Sequence, residues 1–349
     1  SEARASVSTA SEVRSFKSRQ FEAWGDRSAN VANHISSEDR VVVVSYFLPV
    51  ILTMSEEGEW SAEWDNENIL SLQADIGAMD RAIDKISWVG TVRYHGAAVP
   101  AEHEQAVSYV LTSMHCFPVY VSEAMHHQFY DVFCKQQLWM ILHHVADVYG
   151  PLDLNEISAK AQQELWYTYS TVNRMFKEKV VEAFSHGDLI WIHGFHLMLL
   201  PSFLRRVITN AKIGYFFHTP FPSSEIWRTM SRREDLLRGI LAADQVGFHL
   251  YEYARHFMTT CQRVLGHRSE MTVNGSLAIN VDERDVIITC IHVGIYTPKL
   301  QTALKLDAYD TKLPEWREKF KGKTVVGGTD RLERLKGIPL KLIAIDTFM

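Results

Sequence analysis

Short apolar runs rich in β-branched residues recur along the chain, separated by stretches of helical period. They are "RVVVVSYF" (40–47), "KISWVGTV" (85–92), "FPVYVS" (117–122), "DLIWIH" (188–193), "KIGYFFH" (212–218), "QVGFH" (245–249), "VIITCIHVG" (286–294) and "TVVGG" (324–328). Several are continuous rather than alternating, which suits strands buried on both faces of a parallel sheet. Between them, Leu165, Tyr169, Val172, Phe176 and Val180 form one apolar helical stripe, and Leu236, Leu237, Ile240 and Leu241 form another. In "PFPSSEIW" two prolines stop a strand, and Ser223 or Ser224 can cap the helix that follows. Repeated strand–helix alternation implies right-handed crossovers and a doubly wound α/β sheet.

The chain is long enough for about two domains, and an apolar fraction of 46% is ordinary for a globular protein. A net charge of −6 gives no reason to expect nucleic acid or an anionic membrane as a partner. Cys116, Cys134, Cys261 and Cys290 show no CxxC spacing, which favours reduced thiols and a cytoplasmic setting. The longest apolar run, 41–54, is broken by Ser45 and Pro49 and is too short to span a bilayer. No basic-then-apolar leader opens the sequence. It starts at Ser1 and stops within an amphipathic helical pattern, so it reads as cut at both ends. Residues 1–38, poor in large apolar groups, are expected to be disordered or a loose helix. Residues 39–298 are expected to form a Rossmann-like domain, 299–323 a hydrophilic connection, and 324–349 the truncated start of a second sheet.

Four stretches could carry chemistry. In "DLIWIHGFHLMLL" (188–200), two histidines surround Gly194 and Phe195 just after a strand, the place where open α/β sheets put ligands. That is either an active-site turn or a packed corner. In "GGTDRLERLKG" (327–337), Arg331 and Lys336 follow a glycine-ended strand and could clamp a diphosphate, or could face water as a solvated basic turn. His218, at a strand end before a helix, could meet an anion or sugar oxygens, or act as a structural hydrogen-bonder. Tyr130 and Trp139 are either core aromatics or a platform for a sugar ring. The doublets His126-His127 and His143-His144 are rejected as metal ligands. Adjacent helical residues point about 100° apart, so neither doublet presents both rings to one ion.

"WIHGFHLMLLPSFLRR", "GYFFHTPFPSSEIWRT", "REDLLRGILAADQVGFHLYEYARHF" and "DRLERLKGIPLKL" closely resemble the trehalose-6-phosphate synthases, the family 20 glycosyltransferases. "FCKQQLW" and "SYFLPV…WSAEWD" are closest to the plant-type second class, often fused to a phosphatase domain. The resemblance implies a GT-B fold of two Rossmann-like domains, the second only begun here. It implies a retaining enzyme that transfers glucose from UDP-glucose to glucose 6-phosphate with no cofactor or catalytic metal. By this resemblance His218 would line the transferred glucose, Arg331 and Lys336 would hold the donor diphosphate, and Tyr130 and Trp139 would line the acceptor pocket. Homo- or hetero-oligomers with other trehalose enzymes are compatible with it.

The departures concern mainly one substrate. Similar synthases carry Asp and Tyr where this chain has Gly194 and Phe195, and that Asp grips acceptor hydroxyls. Phe47 replaces an arginine expected on the acceptor phosphate. The glycine-paired donor loop is not visible near 72–80, and Tyr296 stands where an Asp is usual. The expectation is therefore a synthase with an altered acceptor site. Its alternative is a catalytically impaired regulatory or scaffold domain fused to a trehalose-6-phosphate phosphatase.

Overall fold

The structure is a computed structural model that describes residues 40–65, 86–144, 158–282, 284–292, 301, 304–305, 307–330, 332 and 336–349. Residues 1–38, the 72–80 stretch, Tyr296 and Arg331 lie outside these. The chain divides between Gly294 and Ile295 into two units.

In the first unit, β1 (Val41–Phe47), β4 (Ile86–Thr91), β7 (Cys116–Val119), β8 (Leu189–His193), β9 (Lys212–Phe217), β10 (Gln245–Phe248) and β13 (Arg284–Cys290) run parallel within one sheet. Each coincides with an apolar run read from the sequence. Two further strands, β11 (Ser269–Met271) and β12 (Leu277–Val281), join antiparallel at one edge. The order is β11-β12-β13-β10-β9-β8-β1-β4-β7. The doubly wound parallel sheet thus carries an antiparallel edge the sequence did not announce. The run expected at 286–294 starts earlier and stops at Cys290, because Arg284 and Asp285 pair with Val281 and Asn280 of β12. Small antiparallel pairs, β2 (Val50–Met54) with β3 (Trp60–Trp64) and β5 (Arg93–Tyr94) with β6 (Ala97–Ala98), complete the strands.

Helices cover the sheet. They are α1 (Glu104–Thr112); α2, a helical run over 123–142 whose centre, His127–Leu138, is wound as a π-helix; α3 (Ala159–Ala183); α4 (Leu200–Arg205); α5 (Ser224–Trp227); α6 (Arg233–Leu241); and α7 (Tyr251–Leu265). Ser158 Oγ accepts the backbone N–H of Ala161 and so starts α3 at a satisfied N-terminus. The stripe Leu165, Tyr169, Val172, Phe176, Val180 is buried against Val42, Val44, Ile190 and Ile192 in the larger core. Each such side chain stabilises the fold by about 1.5–3 kcal/mol. A smaller core on the opposite face packs Val43 and Trp88 with Val107 and Leu111 of α1. Continuous apolar runs in β1 and β4 are explained by these two layers. Ser223 occupies the N-cap of α5 without a side-chain capping bond.

The second unit contains α8 (Asp307–Lys319) and α9 (Ile338–Phe348). The strand expected at 324–328 is irregular instead, with Val325 and Val326 exposed. A strand needs a hydrogen-bonded neighbour, and none pairs it among the described residues. No helix among those residues is long and apolar enough to cross a membrane.

Candidate functional site

The chain leaves β1 toward β4 and β7, then returns to the other side of β1 to lay down β8, β9, β10 and β13. The reversal between β1 and β8 is a topological switch point, where parallel sheets open a crevice at their C-terminal ends. Tyr46 and Phe47 end β1 there, His193 ends β8, and His218 and His249 follow β9 and β10.

The turn after β8 is fixed from below. Gly194 holds φ 81°, ψ 167°, backbone space that is essentially glycine's alone. A Cβ there would meet only His196 Nδ1, at 3.4 Å, so backbone conformation rather than crowding selects glycine. Gly194 N–H donates to Phe216 O at 2.9 Å, and the Tyr215 hydroxyl donates to Gly194 O at 2.5 Å. From α3, the Tyr169 hydroxyl donates to Phe195 O and accepts Met198 N–H, both at 3.2 Å. Asn173 Nδ2 donates to His196 O at 3.2 Å. Burial raises both tyrosine pKa values, so both hydroxyls stay protonated. This turn is preorganised.

On the β1 side of the turn stands a wall of rings. Tyr46 lies nearly parallel to Tyr130 and to His196, each at 5.3 Å between centroids, and Phe47 meets Tyr130 edge-on at 5.2 Å. The Tyr46 hydroxyl shares a 2.7 Å hydrogen bond with His126 Nδ1. Trp139 reaches the same turn from farther along α2, packing on Phe195 at 5.5 Å. Lys135 Nζ rests 4.3 Å from the centre of the Trp139 ring and 5.7 Å from that of Tyr130, a cation–π arrangement. Burial, then the charge of Lys135, pushes the His196 pKa down to about 3, so its ring is neutral.

On the other side, His193 Nδ1 and His218 Nε2 are 2.8 Å apart, with rings nearly parallel. Burial drives His193 well below the usual histidine range, the neighbouring His218 adding to the effect. Burial and then His249 bring His218 down to about 4. The outer nitrogens, His193 Nε2 and His218 Nδ1, are buried with no hydrogen-bond partner among the described residues.

The structure therefore brings Phe47, Tyr130, Trp139, Gly194 and His218 to one edge of one sheet. Lys336 is exposed in the second unit, and Arg331 lies outside the described residues. His143 is held locally, its Nδ1 2.8 Å from Trp139 O, and His127 Nδ1 lies 3.1 Å from Asp131 Oδ2, a carboxylate four residues on that the sequence reading did not pair with it. Sequence reasoning missed Tyr46, Lys135, Tyr169 and Asn173 as parts of the site. A signal existed for Asn173, a polar residue adjoining the apolar stripe of α3. None existed for Lys135, whose setting depends on the π-wound register of α2.

The sequence profile of glycosyltransferase family 20 matches residues 39–349. A probable alpha,alpha-trehalose-phosphate synthase [UDP-forming] of Arabidopsis thaliana is 35% identical over 326 residues, covering 93% of this chain but 36% of the plant protein. The N-terminal domain of a Candida albicans trehalose-6-phosphate phosphatase superposes with TM-score 0.68 at 24% identity, covering 90% of this chain and 63% of that one. An E. coli trehalose-6-phosphate protein bound with UDP-2-fluoro glucose superposes with TM-score 0.63 at 21% identity, covering 88% and 60%.

Proposed function

The chain belongs to glycosyltransferase family 20, and from that premise we propose that it supplies the acceptor-side half of an enzyme that transfers glucose from UDP-glucose to glucose 6-phosphate with retention. One observation carries the reading. His218, at the switch-point edge, holds a buried nitrogen that no described residue bonds. An unmet polar atom costs about 1–3 kcal/mol, and a hydroxyl of the transferred glucose would satisfy it. A neutral imidazole suits that contact, since it bonds a sugar oxygen without adding charge beside the anomeric carbon. Arg331 and Lys336 would meet the charge that develops on the departing diphosphate. Tyr130 and Trp139 would offer ring faces to the acceptor.

The acceptor grip is the altered part. Phe47 adds a ring where a cation would hold phosphate, and Gly194 has no carboxylate for hydroxyls. Those losses weaken acceptor binding by several kcal/mol. Calorimetry on full-length protein tests this: UDP-glucose should bind more tightly than glucose 6-phosphate, and equal or tighter acceptor binding would refute it.

A second reading is favoured by the same departures together with the likeness in fold to the N-terminal domain of a Candida albicans trehalose-6-phosphate phosphatase. In it the domain has left catalysis and acts as a regulatory or scaffold module on a fused trehalose-6-phosphate phosphatase. Donor binding without measurable transfer would select that reading. The proposal also places the protein in the cytoplasm, in keeping with its unbridged cysteines, and admits oligomers with other trehalose enzymes.

A further inference from the structure

We propose that His193 is a positioning residue that dictates which hydrogen bond His218 offers to the sugar, through the 2.8 Å contact between His193 Nδ1 and His218 Nε2. The inference deepens the proposed function and rests on it.

Two neutral imidazoles hold one N–H each. A single hydrogen bond between them uses one N–H and one lone pair, so the outer nitrogens carry opposite polarity. If His193 Nδ1–H donates, His193 Nε2 is a bare lone pair and His218 carries its proton on Nδ1. In the reverse arrangement, His193 Nε2–H would be the orphan donor and His218 Nδ1 a bare acceptor. Burial decides between them. His193 is only 4% exposed, whereas His218 is partly open. An orphaned buried N–H is rarer in proteins than an unfilled acceptor position. The deeper ring therefore keeps the lone pair, and His193 Nδ1–H donates.

His218 is thereby held with its proton on Nδ1, the tautomer that a free histidine side chain disfavours in water. Its Nδ1–H becomes a fixed donor toward a sugar oxygen, on the less buried ring of the pair. Around the pair stand Trp191 and Phe216 of β8 and β9 and His249 after β10. His249 is itself lowered, chiefly by burial, so it adds no fixed charge at neutral pH. No carboxylate forms an ion pair with either ring among the described residues, so the neighbour, rather than a charge, sets the tautomer.

The test is imidazole nitrogen NMR on the 349-residue chain with labelled histidine. Wild-type protein should show His218 as a single Nδ1–H tautomer, with a through-hydrogen-bond N–N coupling to His193. In His193→Phe, His218 should turn toward the Nε2–H form. A wild-type His218 already in the Nε2–H form, or a tautomer unchanged in the variant, would overturn the inference. The coupling is read without any substitution, so a variant that fails to fold does not shield the proposal. In full-length protein, His193→Phe should weaken UDP-glucose binding about five- to tenfold, as for one hydrogen bond. UDP-glucose binding indifferent to His218→Ala would sink the functional reading while leaving the tautomer result standing, so the two failures are distinguishable.

Discussion

At the scale of single residues, Gly194 and Phe47 stand at the sheet edge on which the proposed site rests. Gly194 sits at φ 81°, ψ 167°, so any side chain there strains the backbone by about 1–3 kcal/mol. Gly194→Ala should lower unfolding free energy by that amount in denaturant titration, although space is open around it. An unchanged midpoint would mean the turn relaxes freely. Gly194→Asp inherits the same strain, so a carboxylate placed in this turn carries the same backbone cost. Phe47 carries no such constraint. It packs edge-on against Tyr46 at 4.7 Å and Tyr130 at 5.2 Å from a partly exposed position. Phe47→Arg in full-length protein should therefore lower the KM for glucose 6-phosphate about tenfold, the worth of one charge-assisted bond. A KM that rises would show that the aromatic wall itself binds the acceptor.

At the scale of elements, the turn depends on α3 as much as on β8. Tyr169→Phe removes the hydroxyl that serves both Phe195 O and Met198 N–H, and should cost about 1–3 kcal/mol with helix content unchanged by circular dichroism. Helix α6 gives a sharper contest. Gly239→Ala gains about 1 kcal/mol of helix propensity, but the new methyl would lie 2.3 Å from Met198 O. Backbone cannot yield as a side-chain tip can, so overpacking should win and the variant should be net destabilised. How much of this was legible in the sequence follows from what each element needs. Strands β1, β4, β8, β9 and β10 are apolar runs that pack on helices, so composition marked them. Strand β11 has three exposed residues, Ser269–Met271, and leaves no apolar pattern to read, whereas β12, LAINV, is an apolar run the reading passed over. The run at 324–328 had the composition of a strand but pairs with no strand among the described residues. Placement at the C-terminal edge of the sheet was legible where residues lay next to strand ends, as with Gly194 and His218. It was illegible where contacts cross the chain, as from Tyr46 to His126 and from Tyr169 to Phe195.

At the scale of the whole molecule, buried neutral histidines couple folding to pH. His193, His196 and His218 all have folded-state pKa values below the unfolded value of about 6.5. The unfolded chain therefore binds protons first, and stability rises with pH where it does so. The stabilising contribution is complete above about pH 6.5 and is lost as pH falls toward about 4 for His218 and about 3 for His196. Each of these histidines contributes a slope of about 1.4 kcal/mol per pH unit in that window. Unfolding titrations between pH 7 and 5 should show a steep loss, and His196→Phe should flatten it. A level profile would mean these rings are hydrated in solution. The proposed transfer site with a weakened acceptor side is tested most directly by UDP release from full-length protein supplied with UDP-glucose. Release should require glucose 6-phosphate, saturate only at high acceptor concentration, and fall at least about tenfold in His218→Ala. Protein that binds UDP-glucose yet releases no UDP at any acceptor concentration, or a His218→Ala variant as active as wild type, would contradict it.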